Sequence, residues 1–303
     1  MTTPAELDET VYRWRRNRWG PILFVAGSTL GALAAPFYLA RFAVSPLLLA
    51  LLAAYSLATS LSITAGYHRL FAHRTYEASA PVRFLLLFFG AGAFEQSALK
   101  WSSFHRTHHA YTDTPRDPHN IGYGFWYAHA GWILLWKAFV DYGNVPDLMA
   151  DRLVRHQHDH YRLWSFAAGV GVPLALGLAT GDVAGALLLG VLVRCFLVLN
   201  SAFLVNSVAH SFGRRPYDAA SSATDSALTA LLTHGEGYHN FHHAFPGDYR
   251  NGVAWHAWDP TKWGIWLLSL VGLARDLKRT PAERVVEARR EGVRDAEPVA
   301  PGA

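Results

Sequence analysis

A single cysteine, Cys195, in 303 residues excludes a disulfide framework and any cysteine-rich zinc or iron–sulfur site. A metal in this chain would have to be held by His, Asp, Glu or Asn. Charge is also scarce: charged residues make up 17% of the chain against 51% hydrophobic residues, and the mean hydropathy is positive. That balance points to a membrane protein. There is no glycine fingerprint for a flavin or nicotinamide cofactor, no repeat of fixed period, and no pair of Glu-x-x-His motifs of the kind a carboxylate-bridged helical bundle uses. The net charge of +4 is modest, and the Arg-rich segments lie outside the apolar runs, which reads as membrane topology before nucleic acid binding.

What is present is an alternation of apolar runs and histidine-rich stretches. Residues 1–20 carry Arg13, Arg15, Arg16 and Arg18 interleaved with Trp14 and Trp19, a flank to a membrane span without the cleavage site of a secretory signal. Four spans are expected at about 21–40, 44–66, 163–180 and 183–205, paired as two hairpins. The aromatic patches Phe84 to Phe89 and Phe125 to Phe139 are followed or interrupted by Glu95, Lys100 and Lys137, and read as interfacial helices. Trp255 to Leu273 reads as a segment along the membrane surface, and residues 276–303 as a frayed polar tail. The positive-inside rule places the N-terminus, the middle segment and the C-terminal region in the cytoplasm. The expected fold is an all-α membrane protein: one domain over 1–303, four transmembrane helices in two hairpins, and a cytosolic helical cap from 67–161 and 206–275.

The sixteen histidines fall mostly in clusters. In the stretch Trp101 to His119, His105, His108 and His109 are spaced i, i+3, i+4, which on a helix of about 100° per residue aims all three imidazoles from one face. HNFHH repeats the spacing with His239, His242 and His243. His68 and His73, in HRLFAH, stand about 140° apart on an ideal helix, so they serve different metals or straddle a helix end. Asn206 and His210 lie one turn apart at the end of the fourth span. Nine histidines thus reach one membrane face from four segments, more than one tetrahedral zinc needs and suited to two metals with open positions. Imidazole nitrogens there suit iron held for oxygen chemistry. Any one HxxHH by itself is more often a solvated polar face; it is the set that argues for a metal. His129, His156, His158, His160 and His256 read as surface or interfacial, and His119 and His234 as supports for the ligands.

HRLFAH, HRTHH and GEGYHNFHH, with NSVAH, DPHN and ITAGYH, resemble the three-box pattern of the membrane fatty acyl desaturases, most closely the stearoyl-CoA (delta-9) desaturases. The likeness covers roughly residues 55–275. It implies a di-iron centre (two Fe2+) and a tunnel for a saturated acyl chain, into which a cis double bond, delta-9 by the family's pattern, is introduced with O2. Carried over by motif, the ligands are His68, His73, His105, His108, His109, His210, His239, His242 and His243, with Asn206 acting through a water. Gln96 and Trp101 fall at the expected tunnel mouth.

The resemblance also defines what must come from outside. The chain has no HPGG motif of a fused cytochrome b5 domain, so electrons are expected from a ferredoxin or cytochrome b5 carrier, docking on a basic face with Arg69, Arg74, Arg106 and Arg214. Where the animal acyl-CoA enzymes place charged residues, this chain has Ser103, Phe104, Ile121, Gly122 and Tyr123. Acyl-CoA is the first substrate expected, with acyl-lipid or acyl-carrier-protein substrates open. A related di-iron hydroxylase is the enzymatic alternative and a histidine-rich metal transporter the non-enzymatic one. Arg-rich composition and the ending PVAPGA favour a bacterial inner membrane, with the ER membrane as the alternative.

Overall fold

A computed structural model describes residues 19–135 and 142–296. The arginine-rich flank before Trp19, Lys137 and Phe139 of the second aromatic patch, and residues 297–303 lie outside the described residues. In chain order the main elements are α1 (Trp19–Arg41), α2 (Pro46–Ala72), β1 (Glu77–Ala78), α3 (Ala80–Ala91), α4 (Ala98–Tyr111), α5 (Arg152–Asp159), α6 (Tyr161–Thr180), α7 (Val183–His210), α8 (Ala227–Leu232), α9 (His239–Ala244), α10 (Pro260–Leu270), β2 (Ala274–Arg275) and α11 (Ala282–Ala296). Apart from the two-residue antiparallel pair β1 and β2, the regular structure among the described residues is helical.

Four helices, α1, α2, α6 and α7, are long and apolar enough to cross a membrane, since a hydrocarbon core of about 30 Å needs about 20 helical residues. The chain is a multi-pass membrane protein. Large apolar side chains such as Leu30 and Phe37 face outward from α1, 65% and 78% exposed, as a lipid-facing surface requires. The apolar patch after the second span forms the short helix α3 and is too short to cross.

Local chemistry sets the boundaries. Proline lies in the first turn of α2, α3 and α10, where a missing N–H costs nothing. The side chains of Ser97, Asp151, Asp182 and Asp259 cap α4, α5, α7 and α10. Gly181 closes α6 at φ +80°, a left-handed position that favours glycine. Tyr38 near the end of α1 donates to Asp182 at 2.8 Å, pinning this turn to the first span.

Two buried polar side chains hold the helices in place. Arg194 in α7 is fully buried and donates to the carbonyls of Gly190 (2.7 Å), Gly92 (2.5 Å) and Gly169 (3.0 Å), with its guanidinium 5.0 Å from the Tyr55 ring centroid. A charge at membrane depth costs about 2.5–3.5 kcal/mol on insertion scales, and these acceptors from three segments offset it. Gln157 of α5 is equally buried. Its amide donates to Tyr67 Oη (2.6 Å) and the Leu87 carbonyl (3.0 Å), and accepts from the Ala98 amide (2.9 Å), fixing the start of α4 against α2 and α3.

The tail departs from expectation. Residues 282–296 form α11 rather than a frayed end, because AERVVEARREGVRDA is dense in the helix formers Ala, Glu and Arg.

Candidate metal centre

The last eleven residues of α2, Ser62–Ala72, are wound as π-helix, and the His73 amide donates to the His68 carbonyl at 3.0 Å, an i→i+5 bond. That winding removes the 140° separation expected on an ideal α-helix. His68 and His73 end with ring centroids 4.8 Å apart, at the helix end and in the same cluster.

Nine histidines gather in two groups. His68, His73, His105, His109 and His242 form one, and His108, His210, His239 and His243 the other; within each, one ring nitrogen per residue lies within 4.8 Å of all the others. α4 splits its box between them, sending His105 and His109 one way and His108 the other, as the i, i+3, i+4 fan dictates. α9 does the same with His242 against His239 and His243. In the first group, Nε2 atoms lie 3.0 Å apart for His68 and His242, 2.7 Å for His73 and His105, and 2.9 Å for His109 and His242. In the second, His243 Nε2 lies 3.3 Å from His108 Nε2 and 3.1 Å from His239 Nε2. Spacings of about 3 Å are those of nitrogen donors around one ion bonded at about 2.0–2.1 Å.

The donors are poised for metal. Burial, with repulsion from neighbouring histidines, holds His73, His105, His109, His239, His242 and His243 well below the ordinary histidine range. They are therefore neutral imidazoles, the form that ligates. His210 Nε2 is buried without a hydrogen-bond partner among the described residues, an orphan a metal would satisfy.

The outer nitrogens are held from behind. His68 Nδ1 lies 2.8 Å from Glu236 Oε2, His108 Nδ1 2.7 Å from Asp117 Oδ1, and His210 Nδ1 2.6 Å from Ser222 Oγ. Such partners fix the ring and leave Nε2 as the donor. Burial alone would raise Glu236, but His68 and Arg69 outweigh it and pull the carboxyl down to about 2. Burial likewise works against Asp117, and His108 beside it keeps the carboxyl below its usual range.

A cavity of about 530 Å³ opens onto both clusters, touching His68, His105, His108 and His239. Its far walls are apolar, from Phe24, Ile63, Phe94, Val198 and Leu199. The volume lies within the range of small-molecule sites.

The fatty acid desaturase family description matches residues 45–267. The chain belongs to the fatty acid desaturase family. It is 44% identical over 234 residues to "Acyl-CoA desaturase 1" of Saccharomyces cerevisiae, covering 75% of this chain and 45% of that protein. It is 41% identical over 275 residues to the "Probable acyl-CoA desaturase" of Schizosaccharomyces pombe, covering 90% and 57%. With "Stearoyl-CoA desaturase 5" of Homo sapiens it shares 38% identity over 247 residues, covering 79% and 74%. The match thus spans about half the length of the two yeast relatives.

In this fatty acid desaturase family member, the remaining residues singled out in the sequence fall as follows. Asn206 and Gln96 line the cavity. Trp101 also lines it, its ring stacked on His105 at 4.9 Å. His119 is buried with its ring 5.4 Å from that of His108, and His234 lines the cavity. His129 is half-buried, within 2.9 Å of Ser207 Oγ and 3.3 Å of Asn200 Oδ1 of α7. His156, His160 and His256 are exposed, and His158 is half-buried against Ser97 Oγ at 2.7 Å.

The basic face loses a member. Arg69 is buried, paired with Glu236 and Asp259 at 3.0 Å each, because its counter-charges arrive from distant segments. Arg106 is bound to Asp147, while Arg74 and Arg214 are exposed. Sequence reasoning missed Glu236, Asp117, Ser222 and Glu95. Signals existed for two: Asp117 stands in DPHN, and Glu236 opens the chain's lone Glu-x-x-His with His239, although its carboxylate faces His68 Nδ1 and Arg69.

Proposed function

We propose that this chain is an O2-dependent membrane acyl desaturase whose two histidine clusters each hold one iron ion. The observation that carries the reading is the joint one: clusters of five and four convergent imidazoles, each with two members on the wall of a cavity that also has an apolar lining. An unactivated methylene needs an oxidant no side chain can supply, and reduced iron with O2 supplies it. The overall conversion is –CH2–CH2– + O2 + 2 e⁻ + 2 H⁺ → –CH=CH– + 2 H2O. The chain's own residues bind and orient. The apolar walls from Phe24, Ile63, Phe94, Val198 and Leu199 hold an acyl chain and exclude water. Trp101, on His105, sets how close the chain comes to the donors. Glu236 and Asp117 hold the ligand tautomers of His68 and His108. Asn206, which lines the cavity, would hold one iron through a water.

The topology we assign is two hairpins, α1 with α2 and α6 with α7, under a cytosolic cap in one domain. The Tyr38 to Asp182 bond supports it, because it joins the end of the first span to the turn of the second pair, whereas His73 follows the far end of α2 and His210 is the last residue of α7. Both termini are then cytoplasmic, in a bacterial inner membrane. Electrons come from an external ferredoxin or cytochrome b5 type carrier. Acyl-CoA is the preferred substrate and an acyl lipid the second, the latter favoured by the uncharged Ser103, Ile121, Gly122 and Tyr123. The sets of histidines lie at span ends rather than along a path through the spans, which argues against a transporter.

The test is expression with iron, lipid extraction, and location of new double bonds by mass spectrometry, with acyl-CoA and phospholipid substrates side by side. The wild type raises unsaturation at one position and His108→Ala does not exceed an empty vector. Hydroxylated products, or no product, would overturn the reading.

A further inference from the structure

Glu236 and Asp117 are buried, but the partner of His210 is of another kind. His210 Nδ1 lies 2.6 Å from Ser222 Oγ, and Ser222 is in turn held by an exposed carboxylate, donating from Oγ to Asp113 Oδ1 (2.5 Å) and from its amide to Asp113 Oδ2 (2.9 Å). A hydroxyl has one proton to give. Ser222 spends it on the carboxylate, an acceptor only, so toward His210 it can only accept. His210 must therefore carry its proton on Nδ1, which leaves the lone pair on the buried and otherwise unpartnered Nε2.

Asp113 serves the neighbouring ligand as well. Its amide donates to Asp117 Oδ2 at 3.2 Å, and Asp117 Oδ1 takes the His108 Nδ1 at 2.7 Å. Asp113 sits at φ +63°, a left-handed position that Asp tolerates better than most residues. That turn lets the amide face one ligand's support and the carboxylate the other's. His108 and His210 belong to the same cluster, yet they come from α4 and α7, and Asp113 reaches across 109 positions of sequence to Ser222.

We infer that Asp113 and Ser222 are positioning residues that set the tautomer of His210 and hold the second metal site together. The inference rests on the two-metal reading above.

The test uses the full chain in detergent, titrated anaerobically with ferrous ion, with iron per chain measured and the two sites resolved by 57Fe Mössbauer spectroscopy. Ser222→Ala and Asp113→Ala are expected to weaken one site about 10- to 100-fold, so that about one of two irons is lost at limiting iron while the signal of the other stays unchanged. Ser222→Thr, which keeps the hydroxyl, is expected to restore the lost signal. Wild-type affinity and an unchanged spectrum in both alanine variants would overturn the relay. So would equal weakening of both sites with no rescue by threonine, the mark of a merely structural role. A wild-type chain that takes up no iron would instead sink the two-metal reading, and the relay with it.

Discussion

His68 and Arg69, adjacent in sequence, are held by the same carboxylate: Glu236 Oε2 lies 2.8 Å from His68 Nδ1 while Oε1 lies 3.0 Å from the Arg69 guanidinium. The second span is thereby anchored twice at the point where it delivers its first histidine. Arg69 also holds Asp259, and Asn251 donates to Glu236 at 2.8 Å. The loop before α9 and the start of α10 are locked to one helix end.

Glu236→Gln separates the two duties. An amide oxygen can still stand beside His68 Nδ1, but the charge balancing Arg69 is lost, and a buried pair broken on one side costs up to about 3–5 kcal/mol. A large fall in melting temperature with a smaller fall in ferrous affinity is expected. Equal melting of variant and wild type would show that Asp259 alone balances Arg69.

Acid should destabilise the metal-free protein earlier than its carboxylates would. Six histidines are held neutral by burial, whereas in the unfolded chain they take up protons near pH 6.5. The unfolded state then binds more protons as pH falls, so stability is lost on going below about 6.5, each histidine contributing up to about 1.4 kcal/mol per pH unit. Glu236, held low, adds a further loss only below its unfolded value of about 4.3. Melting curves of the metal-free protein from pH 8 to 5 test this; a flat profile across that range would refute it.

The spans and the histidine boxes were legible in the sequence because each is a local pattern: about twenty apolar residues, or a fan of imidazoles at helical spacing. What escaped was set by contacts between distant residues. Nothing local announced that Ser62–Ala72 would wind as π-helix, so the spacing of His68 and His73 left two readings. Arg69 read as surface charge because the partners that bury it, Glu236 and Asp259, come more than 160 positions later. The hydrogen-bond partners of His129, Asn200 and Ser207, lie about 70 positions or more away on α7, so no local pattern announced them.

Arg194 is expected to matter for stability rather than metal. It satisfies carbonyls of Gly92 and Gly169 on neighbouring segments besides one in its own helix. A lysine cannot reproduce that fork, and each buried carbonyl left without a donor costs about 1–3 kcal/mol. Arg194→Lys and Arg194→Leu should both melt lower than wild type while binding ferrous ion at full stoichiometry. Unchanged melting of the leucine variant would mean that the guanidinium contributes no net stability.

Glu95 gives the sharpest dependence on pH. Its Oε2 accepts from Trp101 Nε1 at 3.1 Å, and Trp101 lies flat on His105, at 4.9 Å and 22°. Burial pushes the carboxyl up to about 8, against the Trp101 hydrogen bond, which favours the charged form. Below that pH the side chain is a neutral acid in the cavity wall; above it, a charge develops beside the acyl path. Glu95→Gln keeps an acceptor for Trp101 and stays neutral throughout. At pH 7 its turnover should be within about threefold of wild type. Between pH 8 and 9 the wild type should lose activity that the glutamine variant retains, as followed by product yield from the purified protein. Glu95→Leu, which leaves Trp101 without its acceptor, should lose activity at every pH. Parallel pH profiles for wild type and Glu95→Gln would show that the carboxyl is either charged throughout or remote from the acyl chain.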